Sequence, residues 1–271
     1  MQKLLFGISG LPKGDGKKYN YASGIAYLRR FGLDAMELPF VRSVNVTANN
    51  KDAILRSKKE NDFYLSAHGS YYINLNSDSV LKQEQSLARI VKAAEALALV
   101  EGRSLVFHPG FYVGRSPESA MRQIRDNLRK LPHEGVDYRL ETTGGKSQFG
   151  TLDELVDLCR EVPSCKLCLD FAHIHAREEG GLRTVGDFQK VLETVAAGLG
   201  REALDDMHIH LSGIAYGPRG ERFHLPLAEG DFNFKACLTA LRAVEVKGCV
   251  ICESPELEHD ALLLKKIYAA L

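Results

Sequence analysis

The stretch CLDFAHIHAR, from Cys168 to Arg177, sets Asp170, His173 and His175 at the end of an apolar run. The same pattern recurs along the chain. His68 follows the run in FYLSAHGS, His108 follows SLVF, Glu141 stands in DYRLETT, His208 and His210 in MHIHLSG, and Glu253 in GCVICES, while His224 lies in GERFHLPLAEGDF. Any one of these would ordinarily be a cap or a satisfied polar group. Brought to one place they would be a set of buried carboxylates that repel one another unless a cation stands between them. Imidazole and carboxylate donors without thiolates suit zinc, manganese or iron. The candidates His68, His108, Glu141, Asp170, His173, His210, His224 and Glu253 outnumber the three or four protein ligands of a single catalytic zinc, which points to a multinuclear site. Ions about 3.5–4 Å apart can stabilise both the attacking and the leaving oxygen at a phosphorus centre. His175 is the weakest of the candidates.

Elements that could gather these residues are visible in the periodicity. Eight short β-rich runs alternate with segments of helical period, near Leu4, Ala35, Tyr64, Val106, Leu140, Leu169, Ile209 and Val250. The segment from Ser79 repeats apolar residues at Leu87, Ile90, Val91, Ala94 and Leu97. Ser116 followed by Pro117 reads as an N-cap with proline at the first helical position, and Thr151 with Glu154 as a capping box. Eight such alternations fit one (β/α)8 barrel, usually about 250 residues, occupying 1–271 as a single domain. A doubly wound sheet would show a GxGxxG turn after its first strand, and GISGLPKGDG lacks that spacing. In a barrel the C-terminal strand ends meet at one mouth, and strands three to eight all end in a potential ligand. The first two offer only Ser9 and Glu37. His208 and His210 share one face of their strand; His210, nearer the mouth, is the preferred ligand, with His208 behind it or as its substitute.

Composition narrows the function. With 35 basic and 35 acidic residues the net charge is zero, so a polyanion would have to be met by a local patch. Hydrophobic residues make up 45% of the chain, enough for a sizeable core. The start MQKLLFGISG has no cleavage pattern, and no apolar run approaches the roughly 18–20 residues that span a bilayer, so a cytoplasmic protein without membrane contact is expected. Cys168, Cys249 and Cys252 sit in apolar strand-like runs and read as buried reduced thiols.

The segments AHGSYYINLNS, VFHPG, LETTGG, CLDFAH, HLSG and CESP, in this order between Phe63 and Leu257, resemble the motifs of the endonuclease IV family of apurinic/apyrimidinic endonucleases, of which this chain would be a divergent member. HGSYYINL and FHPG are the most specific. The resemblance implies a zinc-dependent barrel, xylose-isomerase-like in fold, that hydrolyses double-stranded DNA on the 5′ side of abasic sites, with Mn2+ as the alternative ion. It places His68, His108 and Glu141 around one zinc. Glu141 bridges to a second held by Asp170, His210 and Glu253, and His173 and His224 belong to a third. The implied chemistry is attack on phosphorus by a metal-bridging hydroxide, with Glu141, Asp170 and Glu253 at its centre, in a protein expected to be a monomer.

Two departures accompany the match. The family has an aspartate two places before the third-zinc histidine, where this chain has Arg222; Glu221 is the candidate replacement. The loop after strand two lacks the family's Asn-Pro-Arg-Trp-like segment and offers Arg42, in a chain with no tryptophan. Tyr71 and Tyr72 stand where the family places residues that probe the base stack. The alternative is a divalent-metal sugar isomerase or epimerase of the related xylose-isomerase-like barrels. Neutral charge and the altered DNA loops favour it; the histidine count disfavours it, as does the position of Lys146 past the turn. A barrel that binds abasic or single-stranded DNA without cutting is a third reading.

Overall fold

The computed structural model describes residues 2–133 and 135–271. In chain order its strands are β1 (Leu4–Ser9), β2 (Ala35–Pro39), β3 (Tyr64–His68), β4 (Ser104–Phe107), β5 (Gly110–Phe111), β6 (Asp137–Glu141), β7 (Gln148–Phe149), β8 (Cys165–Asp170), β9 (Met207–Leu211), β10 (Gly213–Gly217), β11 (Gly220–Leu225) and β12 (Gly248–Cys252). The helices are α1 (Tyr21–Phe31), α2 (Lys51–Glu60), α3 (Val80–Ala98), α4 (Pro117–Leu128), α5 (Leu152–Glu161), α6 (Phe171–Arg177), α7 (Val185–Leu199), α8 (Arg201–Leu204), α9 (Phe234–Ala243) and α10 (Glu258–Ala270). Among the described residues, β1, β2, β3, β4, β6, β8, β9 and β12 close a barrel of parallel strands, each expected from an apolar run in the sequence. The chain is an α/β (β/α)8 barrel. The predicted caps are present: Ser116 accepts from the Ser119 N–H, and Thr151 and Glu154 form the capping box of α5; Ser79, not singled out as a cap in the sequence, caps α3.

Alternation along the strands sorts side chains to the two faces. Leu38, Leu65, Ala67, Leu140, Leu169, Ile209 and Leu211 join the main core shared with the helices. The other face turns inward. A small apolar cluster of Ala35, Cys249 and Ile251, with Leu5 and Tyr64 against it, sits in that interior. Above and around it the interior is polar, with Glu37, Ser66, His68, Arg139, Glu141, Asp170, His208 and His210 all buried. Register brings these residues level. Asp170 of β8 pairs with His210 of β9, and Glu37 of β2 with Ser66 of β3.

Toward the N-terminal end of the barrel, charged groups pack beside this apolar cluster. Arg139 is fully buried; it donates from Nε to the Ser104 hydroxyl at 3.0 Å and from Nη2 to the Asp206 carboxylate at 3.0 Å. Lys166 and Arg103 reach the same carboxylate at 2.9 and 2.7 Å. No helix among the described residues is long and apolar enough to cross a membrane.

Candidate metal centre

At the C-terminal mouth, three groups of ligand-type atoms surround the Glu141 carboxylate or adjoin it. In the first, His68 Nε2 and His108 Nε2 each lie 2.9 Å from Glu141 Oε2. His68 sits at the end of β3 with Nδ1 against the Gly69 carbonyl at 2.9 Å, which leaves Nε2 for the centre. His108, just beyond β4, has Nδ1 3.3 Å from the Gln148 amide of β7. In the second group His210 Nδ1 lies 2.9 Å from Glu141 Oε1 and 3.6 Å from Glu253 Oε2, and Asp170 completes a set whose donor atoms all fall within 4.8 Å of one another. Asp170 is fixed by its backbone: its N–H donates to the Thr142 hydroxyl at 2.9 Å, and its Oδ1 caps α6 by accepting from the His173 N–H at 2.8 Å.

The third group gathers around His173 Nε2. That atom is 3.2 Å from Glu221 Oε2 and 3.3 Å from His224 Nε2, and His224 Nε2 is 3.5 Å from Glu221 Oε1. His173 Nδ1 meanwhile faces the Thr142 carbonyl at 3.0 Å and Asp170 Oδ2 at 3.3 Å. Glu221 reaches this place because of an irregularity in the β10–β11 hairpin. Three positions apart on a regular strand, Glu221 and His224 would point to opposite faces. The register shifts between Ala215 and Tyr216, which pair with Phe223 and Glu221 respectively, so Arg222 is the extra residue of a bulge and the two ligand-type side chains share a face. Arg222 and Phe223 are exposed. Two glycines admit the hairpin. A Cβ on Gly144 would stand 2.6 Å from Glu221 Oε2 and 3.1 Å from the His173 ring, and one on Gly220, whose φ is +92°, would stand 2.0 Å from the Gly144 carbonyl oxygen.

Electrostatics show how strongly this arrangement attracts positive charge. Burial pulls the His68 imidazole down, but the hydrogen bond and charge of Glu141 outweigh it and lift the ring to about 9. His173 and His210 are likewise raised against their burial, His173 by Asp170 and Glu221 and His210 by Cys168 and the surrounding glutamates. Glu141 is lowered against its own burial by His108 and His210, and Glu221 falls to about 2 beside His173 and His224. Burial raises Asp170. In the metal-free protein, protons on imidazoles therefore balance the carboxylates. His108 Nε2 and Asp170 Oδ2, both buried, find no hydrogen-bond partner among the described residues, the contact of His108 with Glu141 being close but poorly aligned. Orphaned imidazole and carboxylate atoms facing one centre fit divalent cations better than they fit one another.

Comparison with known proteins accounts for this architecture. Residues 25–267 match the model of the xylose isomerase-like TIM barrel. The chain belongs to that family. An uncharacterised protein of Methanocaldococcus jannaschii is 43% identical over 276 residues, covering 99% of this chain and 98% of its own. A probable endonuclease 4 of Bacillus licheniformis is 27% identical over 202 residues, covering 71% of this chain and 67% of its own. Among solved structures, 3-keto-D-glucoside 4-epimerase from E. coli superposes with a TM-score of 0.72 at 19% identity, covering 97% of this chain and 100% of that one, a likeness that shows the fold alone. Within this xylose isomerase-like barrel, the eight residues expected as ligands from the sequence all come to one mouth, and Glu221 joins them.

The remaining expected residues fall elsewhere. Tyr71 and Tyr72 stand exposed beside the mouth, at 63% and 70% of their full area, with the Tyr71 ring 5.5 Å from that of His68. Arg42 is exposed in the loop after β2. His175 is buried, 3.0 Å from Asp231, and belongs to none of the three groups. His208 turns to Glu37, at 2.9 Å, rather than to the mouth. Glu37 is the residue whose importance the sequence understates, since a lone carboxylate in DAMELPF carries no spacing signal; only the shared inward parity of Glu37, Ser66 and His208 could have marked it.

Proposed function

We propose that this barrel is a metal-dependent phosphodiesterase that cuts double-stranded DNA on the 5′ side of abasic sites, with two or three zinc ions at its mouth and manganese as a working substitute. The observation that carries the reading is the sharing of Glu141, whose two oxygens face His68 and His108 on one side and His210 on the other. A single carboxylate serving two ligand groups is the arrangement a pair of neighbouring ions requires. His68, His108 and Glu141 would hold one ion, Glu141, Asp170, His210 and Glu253 a second, and His173, His224 and Glu221 a third. Ions so held supply Lewis acidity toward the phosphoryl oxygens and lower the pKa of water.

The chain's own groups do the placing. Thr142 and the first turn of α6 fix Asp170, and the β10–β11 bulge aims Glu221. Tyr71 and Tyr72 offer rings at the rim on which a base could stack, worth about 1–3 kcal/mol per base, and Arg42 follows Val41, whose carbonyl accepts from the Tyr71 N–H at 3.3 Å, close enough to serve a phosphate. Hydrolysis breaks the bond from phosphorus to the 3′ oxygen and leaves a hydroxyl there. The relative named endonuclease 4 supports this reading. We take residues 1–271 as one domain acting as a monomer in the cytoplasm. The second reading, a divalent-metal sugar isomerase or epimerase, is supported by the compact group of Glu141, Asp170, His210 and Glu253, which by itself would hold one ion between two glutamates.

The test is direct. Protein loaded with zinc should carry two or three ions and nick a duplex bearing a tetrahydrofuran abasic analogue. One ion per chain, no nicking with zinc or manganese, and turnover of a ketose would establish the second reading instead.

A further inference from the structure

Behind His210, inside the barrel and away from the mouth, lies a hydrogen-bonded set that the metal-centre reading does not use. Glu37 is fully buried on β2. Its Oε2 accepts from the Ser66 hydroxyl at 2.8 Å and lies 2.9 Å from His208 Nε2; its Oε1 lies 3.1 Å from His210 Nε2. His208 Nδ1 is in turn 3.3 Å from Cys249 Sγ. Three strands, β2, β3 and β9, thus converge on one carboxylate, with β12 behind them.

We propose that Glu37 is the positioning residue of the metal centre, holding His210 so that Nδ1 faces the ions while Nε2 carries the proton. The inference rests on the metal-centre reading above. Proton accounting supports it. A buried carboxylate accepts only, so the His208 and His210 nitrogens that face Glu37 must both be N–H. His208 Nδ1 is then left as acceptor and the Cys249 thiol donates to it. Once an ion displaces the proton that faces Glu141 in the metal-free protein, the one lone pair His210 can offer is on Nδ1, which points at Glu141 and Glu253. His210 Nε2 and Glu37 Oε1 are close but imperfectly aligned, and neither has another partner among the described residues. Among the described residues no other buried carboxylate faces that nitrogen, since Glu141 and Glu253 lie on the Nδ1 side.

Carboxylates that back a ligating histidine fix its tautomer and raise its basicity, and their loss typically costs 10–100-fold in metal affinity. The set also contains His208, His210 and, nearby, Cys168 with ligand-type atoms close together. The Ser66 hydroxyl and the His208 N–H satisfy Glu37 Oε2, and Oε1 has the His210 N–H 3.1 Å away as its one neighbour among the described donors.

The experiment is zinc titration of the metal-stripped protein, against a competing chelator, for wild type and Glu37→Gln. The variant should bind the ion that His210 holds 10–100-fold more weakly, while the ion assigned to His173, His224 and Glu221 keeps its affinity. Long-range proton–nitrogen spectra of the zinc-loaded wild type should show both His208 and His210 protonated at Nε2, with slowly exchanging protons whose resonances move in Glu37→Gln. Wild-type affinity for every ion in the variant, or His210 protonated at Nδ1 in the wild type, would overturn the proposal. The spectra of the wild type decide the matter even if the variant does not fold. If the wild type binds no zinc at all, it is the metal-centre reading itself that fails.

Discussion

Replacing Glu141 by glutamine keeps the size of the side chain and removes its charge, and the structure sets a scale for the consequence. The His68 imidazole is lifted from 6.5 to about 9 although its burial acts in the opposite direction, and Glu141 is the principal cause. That lift corresponds to about 3 kcal/mol of attraction between the local carboxylates and one positive charge at the position of Nε2. A divalent ion at the same place is held by at least as much, so losing the Glu141 charge should weaken binding at the first group by on the order of 100-fold or more. The second group loses a ligand by the same change, because Glu141 Oε1 serves it. The third group, built on His173, His224 and Glu221, keeps its own ligands. Equilibrium dialysis at micromolar free zinc, with metal counted by plasma emission, should therefore show a fall from three ions per chain to one in Glu141→Gln, together with loss of nicking of the abasic duplex. A variant that keeps the wild-type count would refute the bridging role. So would one that sheds all three ions in parallel, which would mean that the groups are not the separate units their geometry suggests.

Two further outcomes follow from particular contacts. Glu221→Gln should lose one ion with the other two retained, whereas Arg222→Ala, on the exposed side of the bulge, should keep the full count; the same dialysis measurement reads both, and a loss in Arg222→Ala would remove Glu221 from the third group. At the opposite end of the barrel, Asp206→Asn deprives the buried Arg139 of its nearer carboxylate, leaving Asp137 at 3.7 Å, and should destabilise the fold by about 3 kcal/mol in urea unfolding at pH 7. Burial pushes the Asp206 carboxyl up, but Arg139, Lys166 and Arg103 pull it below its ordinary value, so its stabilising contribution is present above the unfolded carboxyl pKa of about 4 and is lost as pH falls through the folded one. The gap between wild type and variant should accordingly shrink in measurements at pH 3, and a gap constant with pH would show that charge is not its origin.

The parts of this protein that could be read in the sequence are those whose rule is local. Strand ends that carry a histidine or a carboxylate are visible as strings, and barrel closure alone brings His68, His108, Glu141, Asp170, His210 and Glu253 together. Caps such as Ser116 and Thr151 are likewise settled within four residues. Glu221 is harder, because a bulge changes which face a side chain takes without changing residue type, and the spacing to His224 by itself argues against a shared site. Glu37 is hardest. Its partners Ser66 and His208 lie 29 and 171 positions away, and nothing near it marks that its face would turn inward to meet them. Arg139 escapes for the same reason, since it is an ordinary strand residue until β9 delivers Asp206 beneath it.

The same contrast bears on the choice between the two activities. Shifting a proton beside a carbonyl needs a polarising ion and a base, which the group of Glu141, Asp170, His210 and Glu253 could supply alone. That chemistry gives no reason to add His68 and His108 to the far oxygen of Glu141, nor to build a bulged hairpin that carries Glu221 and His224 to His173. Each added group also has an energetic cost, because imidazoles and carboxylates desolvated together destabilise a fold unless a ligand compensates them. Transfer at phosphorus does give a reason. Charge develops there on the attacking, leaving and equatorial oxygens at once, and separate ions can meet separate oxygens. The two groups that flank Glu141 on its His68 side and beside His173 are thus the part of the site that favours phosphodiester hydrolysis.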